Sequence, residues 1–428
     1  MKHNDNPAII SENKITGKIM YIKRTLETKI TKYLKTPEII AVTGARQVGK
    51  TTLLQQIHQG LDNSLFITFE DVSYRQLFDT DIQAFIELYI QPYKYIFIDE
   101  FQYANNGGQQ LKRIFDTVQD KKIFISGSSV LDLTIHAVKH LAGRLFAFVL
   151  HPLSFEEFLA FKNQELHRYL SDKKENAKFS SIMLEKLYAY LEEYIVYGGY
   201  PRVLLSPDHE EKKEVLRNIL NVYLLRDVRD LMGLFDDYKM ISLMKALSLQ
   251  TGNVISYQEL SQITSLNFSS LKKNLNLLEK TYVIGLPRPF FTNKRIELVK
   301  NPKIYFHDTG LRHAVIDDFR RMEMRQDKGA LWENFIYAEL MKEGNDIKYW
   351  RTKSKAEVDF IVNEKIPVEV KSSPTKTAVG KSLHSYIEKY NPDNAYIFTK
   401  KTEESFMIGK TAVHFLHHFS KIPFAEQH

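Results

Sequence analysis

The spacing of apolar positions changes several times along the chain, and each change predicts a different kind of element. Through Lys18 to Lys35, Ile19, Ile22, Leu26, Ile30 and Leu34 recur at helical spacing, which predicts an opening amphipathic helix with a basic, solvated outer face. From Glu38 onward, strand-length apolar runs alternate with helix-like stretches. "EIIAVTG", "SLFITFED", "YKYIFIDE" and "KIFISGSS" are the apolar runs, and their alternation predicts a helix-flanked, mainly parallel sheet. Residues 154–236 read as helix-rich, interrupted by the turn "YGGYP" at Tyr197 to Pro201. Residues 237–308 read as three helices followed by two strand-like runs, "YVIGLPRPFF" and "RIELVKNPKIYFHD", a winged-helix pattern. From about Gly329 the order is helix, three strands, helix and strand. The expected units are therefore 1–153, 154–236, 237–308 and 309–428.

Within the last unit, "EVDFIVNEKIPVEVK" predicts a hairpin. Val358, Phe360, Val362, Val368 and Val370 give one buried face of period two, which sends Asp359, Glu369 and Lys371 to the other. A turn centred near Glu364 sets Asp359 opposite Glu369, two carboxylates roughly 5 Å apart, an arrangement that needs a cation or Lys371 to offset it. Upstream, Glu333 shares a helical face with Ile336, Tyr337 and Leu340, and an acid on an apolar face also calls for a cation.

At 428 residues with 43% hydrophobic content, the chain has material for two or three cores. The absence of cysteine excludes disulfides, thiolate zinc sites and a cysteine nucleophile, and the 14 histidines show no paired ligand spacing. No apolar run approaches the ~20 residues of a membrane span, and the polar start has no signal-peptide core, so a cytoplasmic protein without a membrane partner is expected. A formal charge of +7 over this length permits an anionic partner and specifies none.

The most specific chemistry lies in "GARQVGKT", which fits G-x-x-x-x-G-K-[ST] between a predicted strand and a predicted helix. Gly44, Ala45, Arg46, Gln47, Val48, Gly49, Lys50, Thr51 and the following Thr52 form a candidate cradle for ATP. Backbone amides would surround the phosphates, Lys50 would reach the β and γ groups, and Thr51 would give its hydroxyl to Mg²⁺. The strand "YIFIDE" ends in Asp99, suited to hold Mg²⁺ through water, and Glu100, suited to orient or deprotonate the attacking water. Ser126 and Ser128 in "FISGSS" are candidate γ-phosphate sensors, and Arg144 in "LAGR" is a candidate transition-state cation or one half of a structural ion pair. On the third helix of the 237–308 unit, Leu271, Leu275 and Leu278 face inward. Lys272, Lys273, Asn276 and Lys280 form a separate outward stripe, whose lysines are candidate DNA contacts.

The ordered set "TGARQVGKTTLL", "FIDEFQ", "SGSS", "LAGRLFAFVLHPLSFEEFL", "YGGYP", "YLLRDV" and "WENF…EVDF…VEVK" resembles the prokaryotic AAA-type ATPases that carry a DUF4143 region. The resemblance spans nearly the whole chain. It implies an α/β fold: an AAA+-type P-loop ATPase core, a helical region, a winged helix and a C-terminal restriction-endonuclease-like domain related to PD-(D/E)xK nucleases. The usual sensor asparagine is replaced here by serine. In PD-(D/E)xK nucleases, one strand carries an acid and the next an acid-x-lysine, a pattern that Asp359, Glu369 and Lys371 match, with Glu333 as the helix glutamate. Glu333, Asp359 and Glu369 are thus candidate metal ligands, and Lys371 a candidate nuclease lysine. A structural network in which Lys371 neutralises the acids, or pairs with Glu357 across the hairpin, stands beside that reading. The expected activity is Mg²⁺-dependent ATP hydrolysis coupled to conformational change, acting on DNA and compatible with a homo-oligomer. An ATP-gated nuclease and a nucleotide-dependent switch with protein-binding C-terminal modules are the alternatives.

Overall fold

The computed structural model describes residues 21–127, 141–172, 179–223, 237–372, 379–400 and 403–423. The apolar runs that follow Glu38 become β1 (Ile39–Thr43), β2 (Ser64–Thr68), β3 (Tyr95–Asp99) and β4 (Lys122–Ser126), and "LFAFV" adds β5 (Leu145–Val149). These strands are all parallel, in the order β2-β3-β4-β1-β5. Their unbroken Ile/Val/Phe content suits strands covered on both faces. Ile40, Val42, Phe97 and Phe124 pack with Leu53 and Leu54 of the helix Lys50–Gln59. The alternate residues Ala41, Ile96, Ile98 and Ile125 pack with Phe78, Phe85 and Leu111 on the other side.

The opening helix is shorter than its periodicity predicts, running only Thr25–Thr31 among the described residues. Arg24, immediately before it, is the N-cap residue and is extended (φ −111°, ψ 137°), the usual conformation at that position. Helices dominate the stretch that follows β5, including Phe155–Lys162, Ser181–Tyr197 and His209–Val222.

The three helices expected after residue 236 are Asp237–Leu249, Tyr257–Thr264 and Phe268–Lys280. The expected ribbon is not formed as predicted. Only β6 (Ile284–Gly285) and β7 (Tyr305–Phe306) pair, and "KRIELV" is a helix, Lys294–Val299. The Asn293 side chain caps that helix by accepting from the Arg295 amide, while Pro287, Pro289 and Pro302 carry no N–H for a ladder.

The C-terminal unit has the helix Lys328–Lys342, β8 (Ile347–Arg351), β9 (Glu357–Val362), β10 (Ile366–Val370), the helix Lys381–Tyr390 and β11 (Asn394–Thr399). Two further strands, β12 (Glu404–Ile408) and β13 (Thr411–His417), complete a mixed sheet of order β12-β13-β11-β10-β9-β8. The hairpin register is as expected. Val362 pairs with Ile366 and Phe360 with Val368, and the turn places Asn363 (φ 51°) and Glu364 (φ 59°) in left-handed conformation. The expectation that Val358 shares one buried face with Phe360, Val362 and Val368 is corrected, since Val358 packs in the cluster of Leu383 and Ile387 and the other three in that of Phe335 and Ile336. Phe335 and Ile336 cover one side of this sheet and Leu383 and Ile387 the other, so Glu369 is only 3% exposed.

Candidate functional site

Gly44 leaves β1 with φ 141°, and a Cβ there would run into the Leu150 carbonyl oxygen. The loop can therefore lie against residue 150 only with glycine at this position. Gln47 (φ 61°) and Gly49 (φ 95°) are also left-handed, and Gly49 caps the helix Lys50–Gln59. This backbone turns amides toward one concavity at a helix N-terminus, the geometry that binds phosphate. Lys50 is buried, its ammonium donating to the carbonyls of Gly44 (3.0 Å) and Ala45 (2.8 Å), within the loop whose phosphates it would meet. Thr52 follows on the first turn of the same helix.

Because β4 lies between β1 and β3, Ser126 at its end stands beside Asp99 at the end of β3. The Ser126 hydroxyl donates to Asp99 Oδ1 and accepts from the Glu100 amide at 3.2 Å. The Thr51 hydroxyl donates to the other oxygen, Oδ2, at 2.7 Å. Thr51 and Asp99 thus already share the position where a Mg²⁺ bound to nucleotide phosphates would be held, and the donor set of hydroxyl and carboxylate fits that hard cation. Glu100 has φ 53°, an uncommon conformation for a non-glycine residue, costing on the order of 1–2 kcal/mol. Its carboxylate is held by the Gln102 side-chain amide.

Two other sequence candidates fare differently. Ser128 lies outside the described residues. Arg144 stands at the opposite end of the sheet: its carbonyl accepts from the Ile39 amide at the start of β1, roughly 16 Å from the phosphate loop at 3.3 Å per residue. Its guanidinium pairs with Asp116 at 3.0 Å, so of the two roles left open the structural ion pair is the one formed, and Arg144 does not reach its own phosphate loop.

Sequence reasoning misses Arg24. Its guanidinium donates to the Val48 carbonyl inside the loop (2.9 Å) and the His151 carbonyl (2.6 Å), and pairs with Glu157 (3.2 Å). No spacing signal marks it. Residues 150–155 then connect the loop to the rest of the chain. The Leu150 amide donates to Thr43, and the Leu153 amide to Gly199. The Leu153 carbonyl accepts from the Tyr194 hydroxyl and Lys342, and the Phe155 amide donates to Glu339. On the far side, the Tyr282 hydroxyl lies 3.3 Å from Thr43 Oγ1.

Lys272, Lys273 and Lys280 share the exposed face of their helix, and Leu271, Leu275 and Leu278 are buried, as expected. The Lys272 ammonium lies over the Phe268 ring, 4.5 Å from its centroid.

The C-terminal acids converge on a residue the sequence reading does not single out. The Lys303 ammonium lies 2.9 Å from Glu333 and 2.7 Å from Glu357, and the Tyr305 hydroxyl donates to the same Glu333 oxygen. Lys371 pairs with Glu369 at 2.6 Å, and Arg351 with Glu357, so the expected Glu357 to Lys371 pair across the hairpin is not made. Asp359 accepts from the Val370 amide at 2.8 Å. Burial first, and the Glu333 charge second, push the Asp359 carboxyl up to about 8. Burial works against the Lys303 charge, but Glu333, Asp359 and Glu357 outweigh it and hold the ammonium protonated. Among the described residues, no group of three or more histidine, aspartate or glutamate side chains is arranged to hold a metal ion. The expected ligand set of Glu333, Asp359 and Glu369 is therefore not assembled, because Lys303 engages Glu333 and Lys371 engages Glu369.

Comparison with known proteins matches residues 36–159 to an AAA domain, residues 188–321 to the domain of unknown function DUF8612, and residues 328–417 to the domain of unknown function DUF4143. An uncharacterized protein of Methanocaldococcus jannaschii is 27% identical over 366 residues, 83% of this chain and 78% of its own length. One from Haemophilus influenzae is 27% identical over 364 residues, 80% of this chain and 83% of its own. Among solved structures, a Walker-type ATPase of Pyrococcus abyssi aligns with 17% identity and a TM-score of 0.47, over 69% of this chain and 96% of that one. None of the described helices is long and apolar enough to cross a membrane.

Proposed function

This chain belongs to the prokaryotic AAA-type P-loop ATPases that carry a C-terminal DUF4143 region, and from that premise we propose that it hydrolyses ATP with Mg²⁺ and couples the reaction to conformational change, acting on DNA. The observation that carries the proposal is the Thr51, Asp99 and Ser126 contact beside a left-handed Glu100. Residues Gly44 to Thr52 bind and orient the phosphates, and Lys50 lends positive charge to the transferring group. Thr51 and Asp99 would hold the Mg²⁺, which when bound offsets charge on the phosphate oxygens. Glu100 orients the attacking water and accepts its proton, and Ser126 keeps Asp99 and the Glu100 backbone in place.

DNA contact is assigned to Lys272, Lys273 and Lys280, on an exposed helix face within a winged-helix-like unit. The working units are 1–153, 154–236, 237–308 and 309–428, the last a relative of the PD-(D/E)xK domains, in a chain compatible with a homo-oligomer. A second reading, a nucleotide-dependent assembly switch, is favoured by Phe268, which is 55% exposed at the N-terminal end of that helix and adds an apolar ring beside Lys272. The ion pairs of the C-terminal cluster lend no support to an ATP-gated nuclease. The test is the ATP hydrolysis rate with and without single-stranded, double-stranded and branched DNA, with strand integrity read on the same samples. Mg²⁺-dependent turnover stimulated by DNA, with intact strands, is expected. Turnover indifferent to every DNA would favour the switch, and no turnover would overturn the ATPase.

A further inference from the structure

Lys303 is 1% exposed, and it comes from outside the sheet whose acids it meets. Its amide donates to the Pro287 carbonyl at 3.0 Å, so its backbone belongs to the segment between β6 and β7. Its side chain passes the Tyr349 ring and ends between Glu333 on the helix Lys328–Lys342 and Glu357 on β9. Tyr305 enters two residues later, at the start of β7, and donates to the oxygen of Glu333 that Lys303 also holds. We infer that Lys303 is the resident cation of this acid cluster, standing where a metal-dependent nuclease would need its divalent ion, and that it closes a clasp between residues 303–305 and the C-terminal sheet.

The chemistry excludes simultaneous occupancy. An ammonium at hydrogen-bond distance from Glu333 and Glu357 uses the lone pairs a hard cation would take, and like charges at that separation repel. Four carboxyls, Glu333, Glu357, Asp359 and Glu369, are met by three cations, Lys303, Arg351 and Lys371, so the cluster is close to balance without metal. Removing the lysine unbalances it and leaves the half-buried carboxylates of Glu333 and Glu357 without their shared cation, a change that destabilises.

The test uses the full chain without nucleotide and reads thermal unfolding and Mn²⁺ binding in the parent, in Lys303→Ala, and in each with Asp359→Asn. The parent is expected to show no Mn²⁺ binding that Asp359→Asn removes. Lys303→Ala is expected to melt roughly 4 °C lower in chelator, and to recover most of that loss in Mn²⁺ only while Asp359 is intact. Asp359-dependent Mn²⁺ binding by the parent would overturn the inference, as would a Lys303→Ala protein that melts like the parent or gains nothing from Mn²⁺. Should Lys303→Ala fail to fold, Lys303→Met with Glu333→Gln removes one charge of each sign and is expected to fold without metal. If that variant also fails, the parent measurement decides alone. An inactive ATP site would alter none of these readings.

Discussion

Thr51 donates its hydroxyl to Asp99 Oδ2 at 2.7 Å, joining the start of the helix Lys50–Gln59 to the end of β3 across the gap in which Mg²⁺ would be held. Asp99→Asn keeps the shape and removes the charge. Steady-state hydrolysis is expected to fall by roughly 100-fold or more, the scale of removing one preorganised electrostatic interaction, while Thr51→Ser retains most activity.

Lys50 and Glu100 separate binding from chemistry. Lys50→Ala is expected to abolish turnover, since the lysine neutralises charge on the β and γ phosphates and the hydroxyl of neighbouring Thr51 cannot replace it. Glu100→Gln is expected to bind ATP like the parent and hydrolyse it at background rate. Equilibrium nucleotide binding measured beside turnover checks both, and parental turnover in Glu100→Gln removes the glutamate from its role.

Gly44→Ala places a methyl group against the Leu150 carbonyl at a φ of 141°. A loss of about 2 kcal/mol or more is expected, together with loss of nucleotide affinity. Chemical denaturation of the nucleotide-free protein reads the first, and an unchanged midpoint would mean that residue 150 yields easily.

Lys272→Glu with Lys273→Glu reverses two exposed charges while leaving Leu271 and Leu275 in the core. DNA affinity is expected to weaken and its salt dependence to flatten by roughly one unit of slope for each phosphate that is no longer neutralised, with DNA-free hydrolysis unchanged. Unaltered DNA binding by the folded double variant would favour the assembly switch.

Asp359 gives a pH dependence of definite sign. Its carboxyl, pushed up to about 8, holds a proton in the folded state that the unfolded chain releases near the ordinary aspartate value. The stabilisation from this group is full below the unfolded pKa and is lost as pH rises through about 8. Relative to Asp359→Asn, the parent should lose up to about 1.4 kcal/mol per pH unit across that window. A flat difference between the two denaturation profiles from pH 5 to 8 would contradict this.

The phosphate loop and its acids were legible because local spacing carries them: a strand, a glycine loop, a helix, then an apolar strand ending in two acids. The pairing of Phe360 with Val368 and Val362 with Ile366 was legible for the same reason, but the alternation did not extend to Val358, which packs in the cluster of Leu383 and Ile387 and not with Phe360 and Val362. What escaped depends on contacts distant in sequence. Arg24 reaches Val48 and His151, and no periodicity announces that. Lys303 did leave a trace, because it alternates in phase with Tyr305 on a strand-like run, and a lysine on an apolar face implies a buried partner. The strand expected at "RIELV" failed because Asn293 offers a cap and the flanking prolines withhold ladder donors.

Residues 150–155 reach Thr43, Arg24, Gly199, Tyr194, Lys342 and Glu339 with their own amides and carbonyls. Such a stretch behaves as a keel. The phosphate loop cannot swing on it, because bending there means breaking bonds to several parts of the chain at once. A displacement begun at Gly44 would have to be carried through these same bonds before it reached the helix Lys328–Lys342, so this stretch is the strut along which the nucleotide-binding and C-terminal units are braced.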